Sequence, residues 1–127
     1  MSAARRERGR RAQSRGLIGE AVAAAALERD GWTVHARRLR TEVCEIDLIA
    51  EKDGLLAIIE IKARPRLATA AAALSARQRQ RLLAAADLVL AVHPEWGRAG
   101  VRFDVMVVDA AGTVRRIADA FRAGLPD

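Results

Sequence analysis

Residues Cys44 to Lys62 read C-E-I-D-L-I-A-E-K-D-G-L-L-A-I-I-E-I-K, two apolar runs with charged residues set into them on either side of Asp53-Gly54. Asp-Gly between such runs is among the strongest short signals for a β-hairpin, because a tight two-residue turn needs positive φ at both positions. Two strands, at about 44 to 51 and 55 to 62, must therefore lie side by side in a defined register. A two-residue loop pairs Lys52 with Leu55, and a four-residue loop keeps the same register. Counting back from the turn places Asp47 opposite Glu60 and Glu45 opposite Lys62. Directly opposed residues have Cβ atoms roughly 5 Å apart, and like charges so placed are destabilising. A compensating partner is expected, and a hard divalent cation bound by carboxylate oxygens suits the pair. By strand parity Leu56, Ile58, Glu60 and Lys62 share one face, so the charges emerge from an otherwise apolar surface. The same residues also fit a surface hairpin in which Glu45 pairs with Lys62 and water screens the Asp–Glu contact.

With 127 residues, 51% of them hydrophobic, the chain is long enough to bury a core without disulfides or a structural metal. Aromatic residues make up 3%, with no Tyr, which argues against single-strand binders that stack bases on an aromatic platform. The single cysteine, Cys44, has no partner for an internal disulfide, and the first fifteen residues lack the apolar segment of a secretory signal. The expected compartment is the reducing cytoplasm. No apolar run approaches the length of a membrane span, so no membrane partner is expected. The net charge of +6 favours a polyanion, most naturally nucleic acid and above all DNA, because Lys and Arg displace counterions from phosphates. Solubility alone is the competing explanation for that charge.

Along the chain, residues 1–15 are dense in Arg with little to bury and read as a disordered basic arm; residues 16–127 read as one domain. An alanine-rich helix is expected from about 17 to 30, with Gly31 at its C-terminal cap. Leu17, Ala24 and Leu27 form its apolar stripe, and helical spacing puts Glu20 on or beside it. Trp32 to Arg38 reads as a strand with Trp32, Val34 and Ala36 on one face. After the hairpin, Pro65 opens a connection through Ala73, and Ser75 or Thr69 caps a second helix that stops before Pro94. Its stripe of Leu74, Leu82, Ala85 and Val89 runs through Gln78, which should point at the sheet. Arg77, Arg79 and Arg81 fan out around the same turn; with Gln78, and with Arg64 just past the hairpin, they are candidate phosphate contacts, or else a solvated face. V-R-F-D-V-M-V-V-D is a further strand, followed by a short one near Val114 to Ile117. The order α-β-β-β-α-β-β predicts an α/β (α+β) fold with a mixed central sheet flanked by helices. No phosphate-binding glycine motif is present. Asp104 reads as structural, holding an Arg or a backbone amide. His35 and His93 read as isolated, and Cys44 as a small packed thiol.

A metal-dependent phosphodiesterase needs hard oxygen ligands, a way to make a nucleophile of water, and positive charge where the phosphoryl group becomes more negative. Asp47 and Glu60, with the carbonyl of Ile61, supply the first. Lys62, about 7 Å along the strand from Glu60, supplies the last. Glu20, arriving from the first helix, completes the metal shell or orients water. Asp, a spacer of twelve residues, then E-x-K behind a Glu-bearing helix resembles the PD-(D/E)xK nuclease superfamily of restriction enzymes and archaeal Holliday-junction resolvases. More narrowly, G-L-I-G-E-A-V-A-A-A-A-L, E-I-D-L-I-A, I-E-I-K-A-R, a basic helix and R-F-D-V resemble the YraN, or UPF0102, family over roughly residues 16 to 109. That resemblance implies a restriction-endonuclease-like fold and Mg²⁺- or Mn²⁺-dependent cleavage of nucleic acid at Asp47, Glu60 and Lys62, with Glu20 as an accessory. Branched or damaged DNA is the expected substrate class, and a small nuclease that cuts two strands would act as a homodimer. The chain departs from the family pattern at Val43-Cys44, where Gly-Gly is usual, and at Gln78, where the second helix usually carries Lys. Those departures suit the alternative, a non-catalytic nucleic-acid-binding or adaptor module.

Overall fold

A computed structural model describes residues 18–63 and 74–121; the basic arm, Leu17, Arg64 and Thr69 lie outside the described residues. Helix α1 covers residues 18–29. It ends where the sequence says it must: Gly31, at φ 89, lets its own amide reach the Glu28 carbonyl and the Trp32 amide reach the Leu27 carbonyl, the paired bonds of a glycine-terminated helix. Strands β1 (Thr33–Arg40), β2 (Glu45–Lys52) and β3 (Leu55–Ala63) follow as an antiparallel meander. Helix α2 (Ala76–Val92) crosses back, so that β4 (Gly100–Val108) runs parallel to β3, and β5 (Val114–Phe121) closes the sheet antiparallel to β4. The spatial order is β1-β2-β3-β4-β5. This is a mixed five-stranded sheet with the element order expected, the last strand running to Phe121 rather than Ile117. No described helix is long and apolar enough to cross a membrane.

Each face of the sheet is covered by one helix. Ala23, Ala24 and Leu27 of α1 pack with Trp32, Leu48, Ala50, Ala57, Ile59, Met106 and Val108. Leu82, Ala85 and Val89 of α2, with Leu74, pack with Ile46, Ile49, Leu56, Ile58, Phe103, Val105 and Val107 on the other side. The central strands are apolar on both faces because both are buried. The hairpin turn is the expected one: Asp53 and Gly54 take φ 52 and 82, and Lys52 pairs with Leu55.

The alternation expected in β1 fails. A register shift between Val34 and Ala36 leaves Val34 on the α1 face and moves Ala36 to the α2 face, the effect of one extra residue in a strand. The extra residue, His35, is not isolated. Its ring stacks on Trp96 at 4.4 Å, His93 stacks on the other side at 3.8 Å, and Glu51 accepts from both His35, at 2.7 Å, and the Gly97 amide. This stack fastens the loop after α2 to the far end of the hairpin. Asp104 is structural, as expected: 1% exposed, it takes two bonds from Arg102 at 2.8 and 2.9 Å, one from Arg116 at 3.1 Å and one from the Asp119 amide at 2.8 Å. Both guanidinium groups lie over the Trp32 ring, an arrangement that adds cation–π attraction to the ion pairs.

Candidate active site

The register of the hairpin holds from the turn as far as Leu48 opposite Ile59, and there β2 leaves β3. Strand β3 continues alongside β4 to Ala63, whereas β2 continues alongside β1 to Glu45. At the point of parting the β1–β2 pairs step from Arg37–Leu48 to Leu39–Ile46, passing over Arg38 and Asp47. Arg38 has φ 50, and the twist puts Leu39 and Ile46 on the α2 face together with Ala36 and Ile49. Strict alternation would have sent Leu39 and Ile46 to the other face.

Asp47 sits in the gap so formed. Its Oδ2 accepts from the Ile61 amide at 2.8 Å, replacing a ladder bond with a side-chain bond. The amide of Ile61 is thus the group that engages Asp47. Glu60 lies beside Asp47, close enough that each acid shifts the other's titration. The register read from the turn ends one pair short of Asp47 and Glu60, so they are not ladder partners, and only their side chains come together across two strands that have already parted. Lys62 stands behind Glu60, Nζ to Oε1 3.6 Å, the two side chains 16% and 20% exposed. Burial, then the charge of Asp47, pushes the Glu60 carboxyl up to about 7, with Lys62 opposing. Burial also raises Asp47, against the Ile61 amide.

The expected Glu45–Lys62 pair is absent. Because β2 has left β3, Glu45 faces β1 instead, 3.5 Å from Arg38 and 3.9 Å from Arg40. Glu20 arrives from the first turn of α1, which lies over β3 with Gly19 facing Ile61, Ala63 and Val108. Glu20 is well covered and lies 3.7 Å from the Arg38 guanidinium. Its pKa is raised by burial, while Arg38 and Arg37 pull it down and Asp47 and Glu45 push it up. It shares the field of the carboxyl pair without joining it. Among the described residues no group of three or more His, Cys, Asp and Glu side chains is gathered to hold a metal ion. Asp47 and Glu60 alone remain as a donor pair of hard oxygens, and they fit a cation such as Mg²⁺, which keeps most of its waters and takes one or two carboxylates.

The α2 side is lined by Cys44. Thr41 ties the β1–β2 loop by taking the Val43 and Cys44 amides and donating to the Cys44 carbonyl. The Cys44 thiol points at the Arg81 carbonyl, 3.7 Å away. Burial, then Glu60, pushes that thiol up, the reverse of what a nucleophilic cysteine needs. Arg81 is exposed and acts on the same thiol, so its turn of α2 borders the site. Arg77 is exposed, and Arg79 donates to the Leu74 carbonyl at 2.8 Å. Gln78 does not face the sheet. It is exposed, and its side chain accepts from the Ser75 amide while the Ser75 hydroxyl accepts from the Gln78 amide. This reciprocal cap holds the helix start, and S-x-x-Q in the sequence is its signal. Arg38 is the site residue that sequence reasoning missed. Nothing in the run A-R-R-L-R sets its left-handed backbone apart.

Residues 19–108 match the family described as Uncharacterised protein family UPF0102. Among similar proteins, a UPF0102 protein of Granulibacter bethesdensis is 64% identical over 91% of this chain and 73% of its own length. UPF0102 proteins of Azorhizobium caulinodans and Acidiphilium cryptum are 45% and 44% identical, over 91% and 92% of this chain and 88% and 91% of their own lengths.

Proposed function

We propose that this chain, which belongs to the UPF0102 family, is a metal-dependent nuclease of the PD-(D/E)xK kind with a restriction-endonuclease-like fold, hydrolysing phosphodiester bonds in DNA. The observation that carries the reading is the Asp47–Glu60 carboxyl pair, held together where β2 parts from β3 with Lys62 behind it. Two acids brought into contact in a half-buried pocket oppose folding unless a proton or a cation joins them. Asp47 and Glu60 are the residues that would hold Mg²⁺ or Mn²⁺. Such a cation, when bound, neutralises phosphoryl oxygens and makes water more acidic. Asp47 is fixed for this by the Ile61 amide, and Glu60, raised to about 7 by burial and by Asp47, would release its proton to a bound cation near neutral pH. Lys62 places a fixed positive charge beside the carboxyl pair, where a phosphate approaching the site would become more negative. Arg77 and Arg81 on α2 supply sequence-independent phosphate contacts at the border. A cytoplasmic enzyme that acts as a homodimer on branched or damaged DNA is the form of the proposal that the charge and the small size favour.

One observation favours the second reading, a binding or adaptor module without turnover. Gln78 is committed to the helix cap, so the first turn of α2 offers the site no charge from that position.

The test is cleavage of duplex, single-stranded, flap and four-way-junction DNA in Mg²⁺ or Mn²⁺, alongside thermal unfolding with and without metal. The wild-type chain should cut at least one substrate, and Lys62→Ala should remain folded with activity reduced by a factor on the order of 10² or more. Metal should raise the unfolding temperature of the wild type and not that of Asp47→Ala or Glu60→Ala. Cutting that persists in Lys62→Ala is contamination. Metal that stabilises all forms alike removes the basis of the reading, and tight DNA binding without cleavage selects the adaptor.

A further inference from the structure

Arg38 is placed at the acidic end of the sheet by its backbone. It is one of three described non-glycine residues with positive φ, and it stands inside a strand rather than in a turn. Such a conformation is uncommon for a residue with a long side chain and persists only where the surroundings impose it. The pairs between β1 and β2 pass over Arg38 and Asp47 together, so the irregular residue and the candidate ligand border the same gap. The result is a guanidinium set between two acids, its Nε 3.5 Å from Glu45 and 3.7 Å from Glu20. Glu20, from a different element, is therefore engaged by a cation of the protein's own. It is not gathered with Asp47 and Glu60 into a three-acid group.

We propose that Arg38 is a positioning residue that competes with a divalent cation for Glu20, holding this third acid away from a metal seated between Asp47 and Glu60. The proposal rests on the metal-binding half of the function proposed above. Removal of the guanidinium has two effects of the same sign. It deepens the negative potential at the pair, and it frees Glu20 as an additional hard oxygen donor.

The experiment is calorimetric titration of the full chain with Mn²⁺ at low ionic strength, with melting temperature measured for every variant. Arg38→Asn removes the charge but keeps a residue that tolerates left-handed backbone; Arg38→Lys keeps the charge. Arg38→Asn should bind Mn²⁺ about 3–10-fold more tightly than the wild type, and Arg38→Lys should stay close to the wild type. Glu20→Gln should weaken Mn²⁺ binding more in the Arg38→Asn background than in the wild type, the non-additivity of a coupled pair. If Arg38→Asn does not fold, Arg38→Gly carries the same expectation, because glycine is unstrained there. Unchanged or weaker Mn²⁺ binding in the folded, charge-free variant overturns the role of Arg38 and leaves the Asp47–Glu60 site standing. Absence of Mn²⁺ binding in the wild type and all variants overturns both.

Discussion

Asp104 on β4 and Glu60 on β3 stand one register step apart, Asp104 beside Ile59 and Glu60 beside Val105, yet their surroundings are opposite in kind. Asp104 is closed in by two guanidinium groups and a backbone amide, and its oxygens take four hydrogen bonds. Glu60 has another acid as its near neighbour and a single ammonium at 3.6 Å. The first carboxylate is saturated and can only fasten strands together. The second is short of positive charge, and the shortage makes it available for chemistry. Exposure separates them less than charge does, since Glu60 is itself mostly covered.

The sharpest way to break this contrast is Asp104→Ala. It leaves Arg102, Arg116 and the Asp119 amide without their acceptor and should cost about 3–5 kcal/mol in chemical denaturation; a loss below about 1 kcal/mol would mean that the two acids do not differ as described. Glu60→Gln should act in the opposite direction. A carboxyl whose folded pKa is raised from 4.5 to about 7 is more readily ionised in the unfolded chain, so metal-free stability should fall as pH rises from about 5 and level off above about 7. Asp47, also raised, contributes with the same sign. Glu60→Gln should flatten that fall and exceed the wild type at pH 8 by on the order of 1–2 kcal/mol. Stability that rises over the same interval would contradict the raised Glu60 carboxyl. The smallest effect is expected from Gln78→Ala, which removes half of the helix cap and should cost about 0.5–1 kcal/mol with metal stabilisation unchanged. A drop in DNA affinity beyond that of a neutral surface change would return Gln78 to the phosphates.

Local chemistry carried the sequence reading a long way. Asp53-Gly54 specified its own turn and, with it, the pairing of Lys52 with Leu55, because few residues accept positive φ at both positions. The α2 stripe of Leu74, Leu82, Ala85 and Val89 was legible for a similar reason, as burial leaves a periodic trace. The place where β2 abandons β3 was not legible. Apolar and charged residues mix on both sides of Leu48, and the departure coincides with the left-handed backbone of Arg38 on the neighbouring strand. The loss of the Glu45–Lys62 pair follows from that departure. Helical phase puts Gln78 on the apolar stripe, but its place three residues after Ser75 commits it to the cap instead. The stack of His35, Trp96 and His93 joins β1 to the loop after α2 and leaves no local mark, since each residue has an ordinary alternative role.

The parting of β2 from β3 also bears on the order in which the molecule is assembled. Asp47 reaches the Ile61 amide across 14 residues of one hairpin, a loop that closes early because short contacts lose little chain entropy. The Asp104 cluster joins Trp32 to Arg116 and Asp119 and can form only after α2 has carried the chain across the sheet. On chain entropy alone the hairpin that brings Asp47 beside Glu60 should close before the fastening contact, so the like-charged pair is met early, when little else holds the chain. A proton or a divalent cation that joins Asp47 to Glu60 should therefore speed the closing of the hairpin, as well as slow the opening of the finished fold.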